Sequence, residues 1–259
     1  MALKTATKTT TAKAVNNKAI AKIKKAATAV KNIPMLGGII TEFIGSFLLV
    51  ASFLEVQASP LFVAFALAGV VLMISGAVSA HLNPAITIGA LVTKKINAIT
   101  ALCYVLAQIL GGLIAWLTIN AFIQATTTSS LTGGTTIFHA ATLTSGREWT
   151  VFFTELIGTV IVAFGFSAAL RAKKDKLSAA FAYGFATLVA MIFVGSITSM
   201  LLSESNTGLS FLNPAIAIAA NTLSWNVWPI AIYIVAPVLG GVIGVLIHDF
   251  IQSQHTELE

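Results

Sequence analysis

Charge is what this chain has least of. Only 9% of its 259 residues are Asp, Glu, Lys or Arg, against 57% hydrophobic. A soluble domain carries about 25% charged residues, so most of this chain cannot face water. Cysteine is nearly absent: Cys103 stands alone, inside an apolar stretch. It can form no internal disulfide, and the compartment stays unread. His81, His139, His248 and His255 form no cluster, and no metal-ligand spacing, nucleophile motif or phosphate loop occurs. An enzyme is therefore not expected, and neither is a metal or another cofactor. Acidic residues are wholly missing from residues 1–34.

What is present is apolar length. Spanning a bilayer takes roughly 20 mostly apolar residues in a helix. Six stretches approach or reach that length, at about 36–56, 60–78, 97–120, 149–170, 177–200 and 226–250, the second being the shortest. Without regular alternation they suit helices better than a lipid-facing barrel. An all-α membrane protein is the expected fold class.

The 15 basic residues place the ends. Eight precede the first stretch: Lys4, Lys8, Lys13, Lys18, Lys22, Lys24, Lys25 and Lys31. Lys94 and Lys95 follow the second, and Arg171, Lys173, Lys174 and Lys176 follow the fourth. Only Arg147 falls on the other side, so the excess of positive charge marks one face as cytoplasmic, with both termini there. The net charge of +6 is thus a topology signal, and no nucleic-acid partner is expected. Residues 1–34 read as a basic cytoplasmic tail and 251–259 as a second short tail around a domain of residues 35–250. Lysines interrupt any apolar core a cleaved signal peptide would need. Ile20, Ile23, Ala27 and Val30 fit the apolar stripe of a helix resting on anionic lipid, and a solvated disordered tail fits equally well.

The domain repeats itself. Thr41-Glu42-Phe43-Ile44-Gly45 returns as Thr154-Glu155-Leu156-Ile157-Gly158. Tyr104…Ala107-Gln108…Gly111-Gly112 returns as Tyr233…Ala236-Pro237…Gly240-Gly241. Leu82-Asn83-Pro84-Ala85-Ile86 returns as Leu212-Asn213-Pro214-Ala215-Ile216, and Ala64-Phe65-Ala66 as Ala180-Phe181-Ala182. The halves cover about 36–120 and 149–250. Each has three spans, and an odd number makes the second half enter from the opposite side. Such inverted repeats build their sites near the midplane, where discontinuous helices meet.

Asn is a favoured N-cap and Pro a favoured first helical residue. Asn83-Pro84-Ala85 and Asn213-Pro214-Ala215 therefore read as helix starts. The apolar runs after them, Ala85–Val92 and Ala215–Leu223, make roughly 12–13 Å of helix, less than half a bilayer core. Two such half-helices entering from opposite faces would meet tip to tip. Irregular backbone at membrane depth is tolerated where it is buried or lines a wet cavity. The backbone at Ser79, Ala80, His81, Leu209 and Phe211 is thus expected to offer acceptors to a passing solute, with the Asn amides as central donors. The positive helix ends would exclude cations and protons.

Residues 36–250 resemble the aquaporin, or major intrinsic protein, family. The likeness is carried by the repeated motifs above, with Ala80-His81-Leu82-Asn83-Pro84-Ala85-Ile86-Thr87 and Pro237. It implies six transmembrane helices plus two half-helices, a pore in each subunit, a homotetramer, and residence in the plasma membrane. It also implies that Glu42 and Glu155 are buried carboxyls supporting the half-helix loops, and that His81 is a loop histidine with a structural or gating role.

The departures concern selectivity. Family members usually carry an Arg after the second Asn-Pro-Ala, and here Ile216 stands there. Water channels often add a His from the fifth span. Residues Ala179–Met200 contain none, and Met191 falls nearest. The second-span contributor falls at Val63 or Phe65, and the loop contributor at Ser210. Ala217 replaces the Asp typical of glycerol channels. A more apolar and wider constriction is expected, passing water or neutral solutes up to glycerol or urea in size. Phe211, where a small residue is common, would instead narrow or block the mouth. The alternatives are a secondary transporter of a small solute and a non-conducting membrane protein on the same fold.

Overall fold

The computed structural model describes residues 20, 35–74, 80–127, 138, 143, 145–172, 175–202, 210–224 and 226–256. Most of the basic tail, the loop residues Ser79 and Leu209, His139, and most of the Thr/Ser-rich connection before Arg147 lie outside them. Contacts divide the chain into residues 1–37 and 38–259. From Gly38 on, the helices belong to the second unit.

Every regular element among the described residues is helical. Leu36–Glu55 (α1), Pro60–Ile74 (α2), Pro84–Val92 (α3) and Ala98–Thr127 (α4) make the first half. Glu148–Arg171 (α5), Lys176–Leu202 (α6), Pro214–Ala219 (α7), Val227–Ile230 (α8) and Ala236–Thr256 (α9) make the second. A π-helical turn, Ala231–Val235, joins α8 to α9 into one apolar span, Val227–Gln254. Its cause is local: Pro237 has no N–H for the carbonyl four residues back, and the ladder lengthens to admit it. Among the described residues, five spans are long and apolar enough to cross a membrane. The second expected span is shorter, 15 residues in α2, or roughly 22 Å.

α5 packs along α6 and α9, and α2 along α6. Each half-helix lies on the last long helix of the opposite half, α3 on α9 and α7 on α4. Paired glycines make that possible. A Cβ on Gly111 would strike the Phe43 backbone of α1, and one on Gly240 the Leu156 carbonyl of α5. The second glycine of each pair meets the other half: Gly112 lies against the Ala215 carbonyl and Gly241 against that of Ala85. Backbones touch because neither side has an intervening side chain, the small-residue packing that holds helices together in lipid.

The half-helices end alike. Lys94 N–H bonds the Leu91 carbonyl and Lys95 N–H that of Ala90, with Lys94 left-handed at φ 59°. Asn221 and Thr222 repeat the pattern on Ile218 and Ala217, with Asn221 at φ 56°. These are Schellman caps. The second apolar run, expected to stay helical to Leu223, stops at Ala219 because Asn221 takes the left-handed place. Lys95 forms an ion pair with Asp249 of α9. Asp175 caps α6 by accepting from Leu177 N–H, Ser178 N–H and the Ser178 hydroxyl. The Ser178 hydroxyl and N–H bonds hold its carboxyl below the usual value.

Candidate functional site

The two Asn-Pro-Ala turns face each other. Asn83 and Asn213 have extended backbones, φ −155° and −154°, and each side-chain oxygen accepts from its own helix, Ala85 N–H or Ala215 N–H, at 2.9 Å. Each amide nitrogen crosses to the opposite loop. Asn83 Nδ2 donates to the Leu212 carbonyl and Asn213 Nδ2 to the Leu82 carbonyl, both at 2.9 Å. An amide carries two N–H donors, so each Asn keeps a second one, and both side chains border one cavity.

The residues before each Asn are held in strain. Leu82 and Leu212 sit at φ 54° and 53°, conformations that cost about 1–3 kcal/mol in a non-glycine residue. Three ties hold each of them. The carbonyl is taken by the opposite Asn. The N–H goes to a carboxyl, Leu82 to Glu42 at 2.7 Å and Leu212 to Glu155 at 2.9 Å. The side chain fills the space left by the glycine three residues after that carboxyl, Gly45 for Leu82 and Gly158 for Leu212. The repeated Glu-x-x-Gly thus has a physical reading, an anchor for the loop backbone and a socket for its leucine.

The neighbouring residue uses the second oxygen. His81 N–H and Phe211 N–H reach Glu42 and Glu155 at 2.6 Å. Beyond that the halves diverge. Gln108 Nε2 bonds both Glu42 and the Thr87 hydroxyl, at 2.7 and 2.8 Å, and His81 Nδ1 meets the same hydroxyl at 3.1 Å. Pro237 and Ala217 occupy the repeat-equivalent places of Gln108 and Thr87, so Glu155 has no matching network. The His81 ring is enclosed by Tyr104 and Phe166, at 5.6 and 5.0 Å between centroids. It does not line the cavity, and its carbonyl accepts from the Tyr183 hydroxyl at 2.6 Å. Ala80 is half-buried and does not line the cavity either.

The cavity runs past the two Asn side chains. Its walls are Leu49 and Phe53 of α1, Val63 and Leu67 of α2, Val162 of α5, and Tyr183, Thr187 and Met191 of α6. Phe211, Leu212 and Ile216 complete it. Of the two second-span candidates, Val63 faces the space, while Phe65 is 50% exposed on the opposite face of α2 against Phe185. Two residues of helix turn a side chain by about 200°, so only one of the two can face inward. Met191 and Ile216 line the cavity. Ser210 does not: it is buried, and its hydroxyl finds no partner among the described residues.

The walls are mostly apolar and enclose a small space. About 20 Å³ is open to the centre of a water molecule, room for about one water. Two of the lining residues, Phe53 and Phe211, belong to a cluster of packed rings. Phe211 packs on Phe53, on Tyr233 and on Phe138, at 5.8, 5.2 and 6.2 Å, and Phe138 also meets Phe53 edge-on at 5.4 Å. Sequence reasoning does not single out Phe53, Phe138, Thr187 or Tyr183. For the last two a signal exists, since residues 183, 187 and 191 fall on one stripe of α6.

A family model described as Major intrinsic protein matches residues 29–248. Aquaporin AqpM of Methanothermobacter thermautotrophicus is 29% identical over 194 residues, 73% of this chain and 74% of that one. Aquaporin-1 of Homo sapiens is 31% identical over 174 residues, 66% of this chain and 59% of that one, so the match spans less than two thirds of that relative. The solved aquaglyceroporin from Plasmodium falciparum superposes with a TM-score of 0.67 at 20% identity, covering 87% of this chain and 100% of that one, a likeness of fold.

Proposed function

The chain belongs to the major intrinsic protein family and is an integral, multi-pass membrane protein, and from that premise we propose that each subunit is a passive channel for water or a neutral solute of similar size. The observation that carries this is the reciprocal pair of bonds from Asn83 to Leu212 and from Asn213 to Leu82. It locks two positive helix ends together beside one cavity and leaves each amide a spare donor. A permeant at that point can accept from both, while a cation meets two like-signed helix ends. Proton relay would be interrupted where fixed donors hold the permeant's orientation.

The size limit follows from the rings. A space for about one water, bounded by Phe211, Phe53, Met191 and Ile216, supports water over glycerol or urea. We place the channel in a homotetramer in the plasma membrane with both termini cytoplasmic, as the family and the lysine asymmetry suggest. The packed cluster of Phe53, Phe138 and Phe211 favours one second reading, a non-conducting membrane protein on the same fold.

Stopped-flow light scattering on proteoliposomes separates these. The channel reading expects water flux above that of empty vesicles, with glycerol, urea and proton flux at their level. Water flux equal to that of empty vesicles would reject it in favour of the second reading.

A further inference from the structure

The repeat builds the same aromatic nest in each half. His81 and Phe211 each stand two residues before an Asn-Pro-Ala asparagine, and each N–H is held by a buried carboxyl. Tyr104 and Tyr233 are repeat equivalents, and so are Phe53 and Phe166, each eleven residues after Glu42 or Glu155. His81 packs on Tyr104 and Phe166 at 5.6 and 5.0 Å, and Phe211 on Tyr233 and Phe53 at 5.2 and 5.8 Å. The two nests differ in what they face. Neither His81 nor Phe166 lines the cavity, whereas both Phe211 and Phe53 do.

Phe211 is the wall least able to give way. Its N–H is held by Glu155 at 2.6 Å, and the next residue, Leu212, is tied in the left-handed region at φ 53°. Its ring also meets Phe138 edge-on at 6.2 Å, and the residue is only 4% exposed. Among the described residues no other ring of this cluster touches all the rest. Met191 borders the same space with an unbranched side chain that adapts to what it touches. A solute can push such a chain aside, but a flat ring clasped by three others moves only with them.

We propose that Phe211 determines specificity in this conduit, its ring setting the width that stops glycerol and urea. The assignment deepens, and rests on, the channel function proposed for the chain. The space beside the ring has room for about one water, and glycerol and urea are each several times larger. A side chain cut back in a packed interior leaves a cavity, because the surroundings relax only partly. Loss of the Phe211 ring therefore widens the conduit while the Asn83 and Asn213 donors stay in place.

The test is flux of water, glycerol, urea and protons through proteoliposomes holding equal amounts of wild type, Phe211→Ala, Phe211→Leu and Phe65→Ala. Phe65→Ala loses a ring of the same size outside the cavity. One methylene in a fitted apolar pocket is worth about tenfold or more in discrimination, so glycerol and urea flux through Phe211→Ala is expected to rise about tenfold or more over wild type. Phe211→Leu is expected between the two, Phe65→Ala at the wild-type level, and proton flux at that of empty vesicles throughout. Phe211→Ala that conducts water with glycerol and urea flux unchanged overturns the role of Phe211 and leaves the channel reading intact. A silent wild type with a conducting Phe211→Ala overturns the channel reading and upholds the ring as what sets the width. All four proteins at the level of empty vesicles overturn both. Failure of both Phe211 variants to give monodisperse protein marks the ring as serving folding only and overturns the proposal.

Discussion

Glu42 and Glu155 are completely buried, and each takes two backbone N–H groups from the loop ahead of a half-helix. A buried donor left without an acceptor costs about 1–3 kcal/mol. An amide in place of either carboxyl keeps one acceptor oxygen and turns an NH2 group toward an N–H. Glu42→Gln and Glu155→Gln are each expected to lower the midpoint of heat denaturation in detergent. Glu42→Gln should lower it more, because three donors bond the Glu42 carboxyl, Gln108 Nε2 besides two N–H groups, where two bond that of Glu155. Equal midpoints for the two variants would show that the Gln108 and Thr87 network adds nothing.

Between elements, the glycines decide how closely the two halves approach. Gly241 faces the Ala85 backbone at the tip of α3, and backbone cannot move aside as a flexible side chain can. Gly241→Val is expected to prevent the half-helix from seating and to abolish the folded, monodisperse protein in size-exclusion chromatography. Gly69, within α2, has nothing within 4 Å of its missing Cβ. Gly69→Ala should therefore be tolerated, and should stabilise by about 0.5–1 kcal/mol through helix propensity alone. Monodisperse Gly241→Val protein with normal water flux would mean that α3 and α9 are not held in backbone contact.

For the whole molecule, the odd number of spans in each half sets the topology. Both ends of the chain and Lys94 are expected on one side, and Arg147 on the other. In a Cys103→Ser background, Arg147→Cys is expected to react with an impermeant maleimide added outside intact cells, and Lys94→Cys only after permeabilisation. The reverse pattern would invert the orientation, and labelling of both from outside would break the six-span scheme.

Much of this architecture is legible in the residues. The repeated Glu-x-x-Gly and Asn-Pro-Ala motifs, read with charge asymmetry and apolar length, specify six spans and two half-helices, because burial of backbone in lipid leaves few other solutions. The side a residue faces is not legible where spacing alone leaves a choice. Val63 rather than Phe65 lines the conduit because α2 presents only one of two opposite faces to the bundle. Nor does the missing Arg announce the ring cluster at the cavity wall, since Phe53 and Phe211, which line it, and Phe138, which packs behind them, come from three distant segments. Local chemistry determined where the chain turns and caps. Only the packing of separate helices decided which side chains share the conduit, because that contact joins residues far apart along the chain.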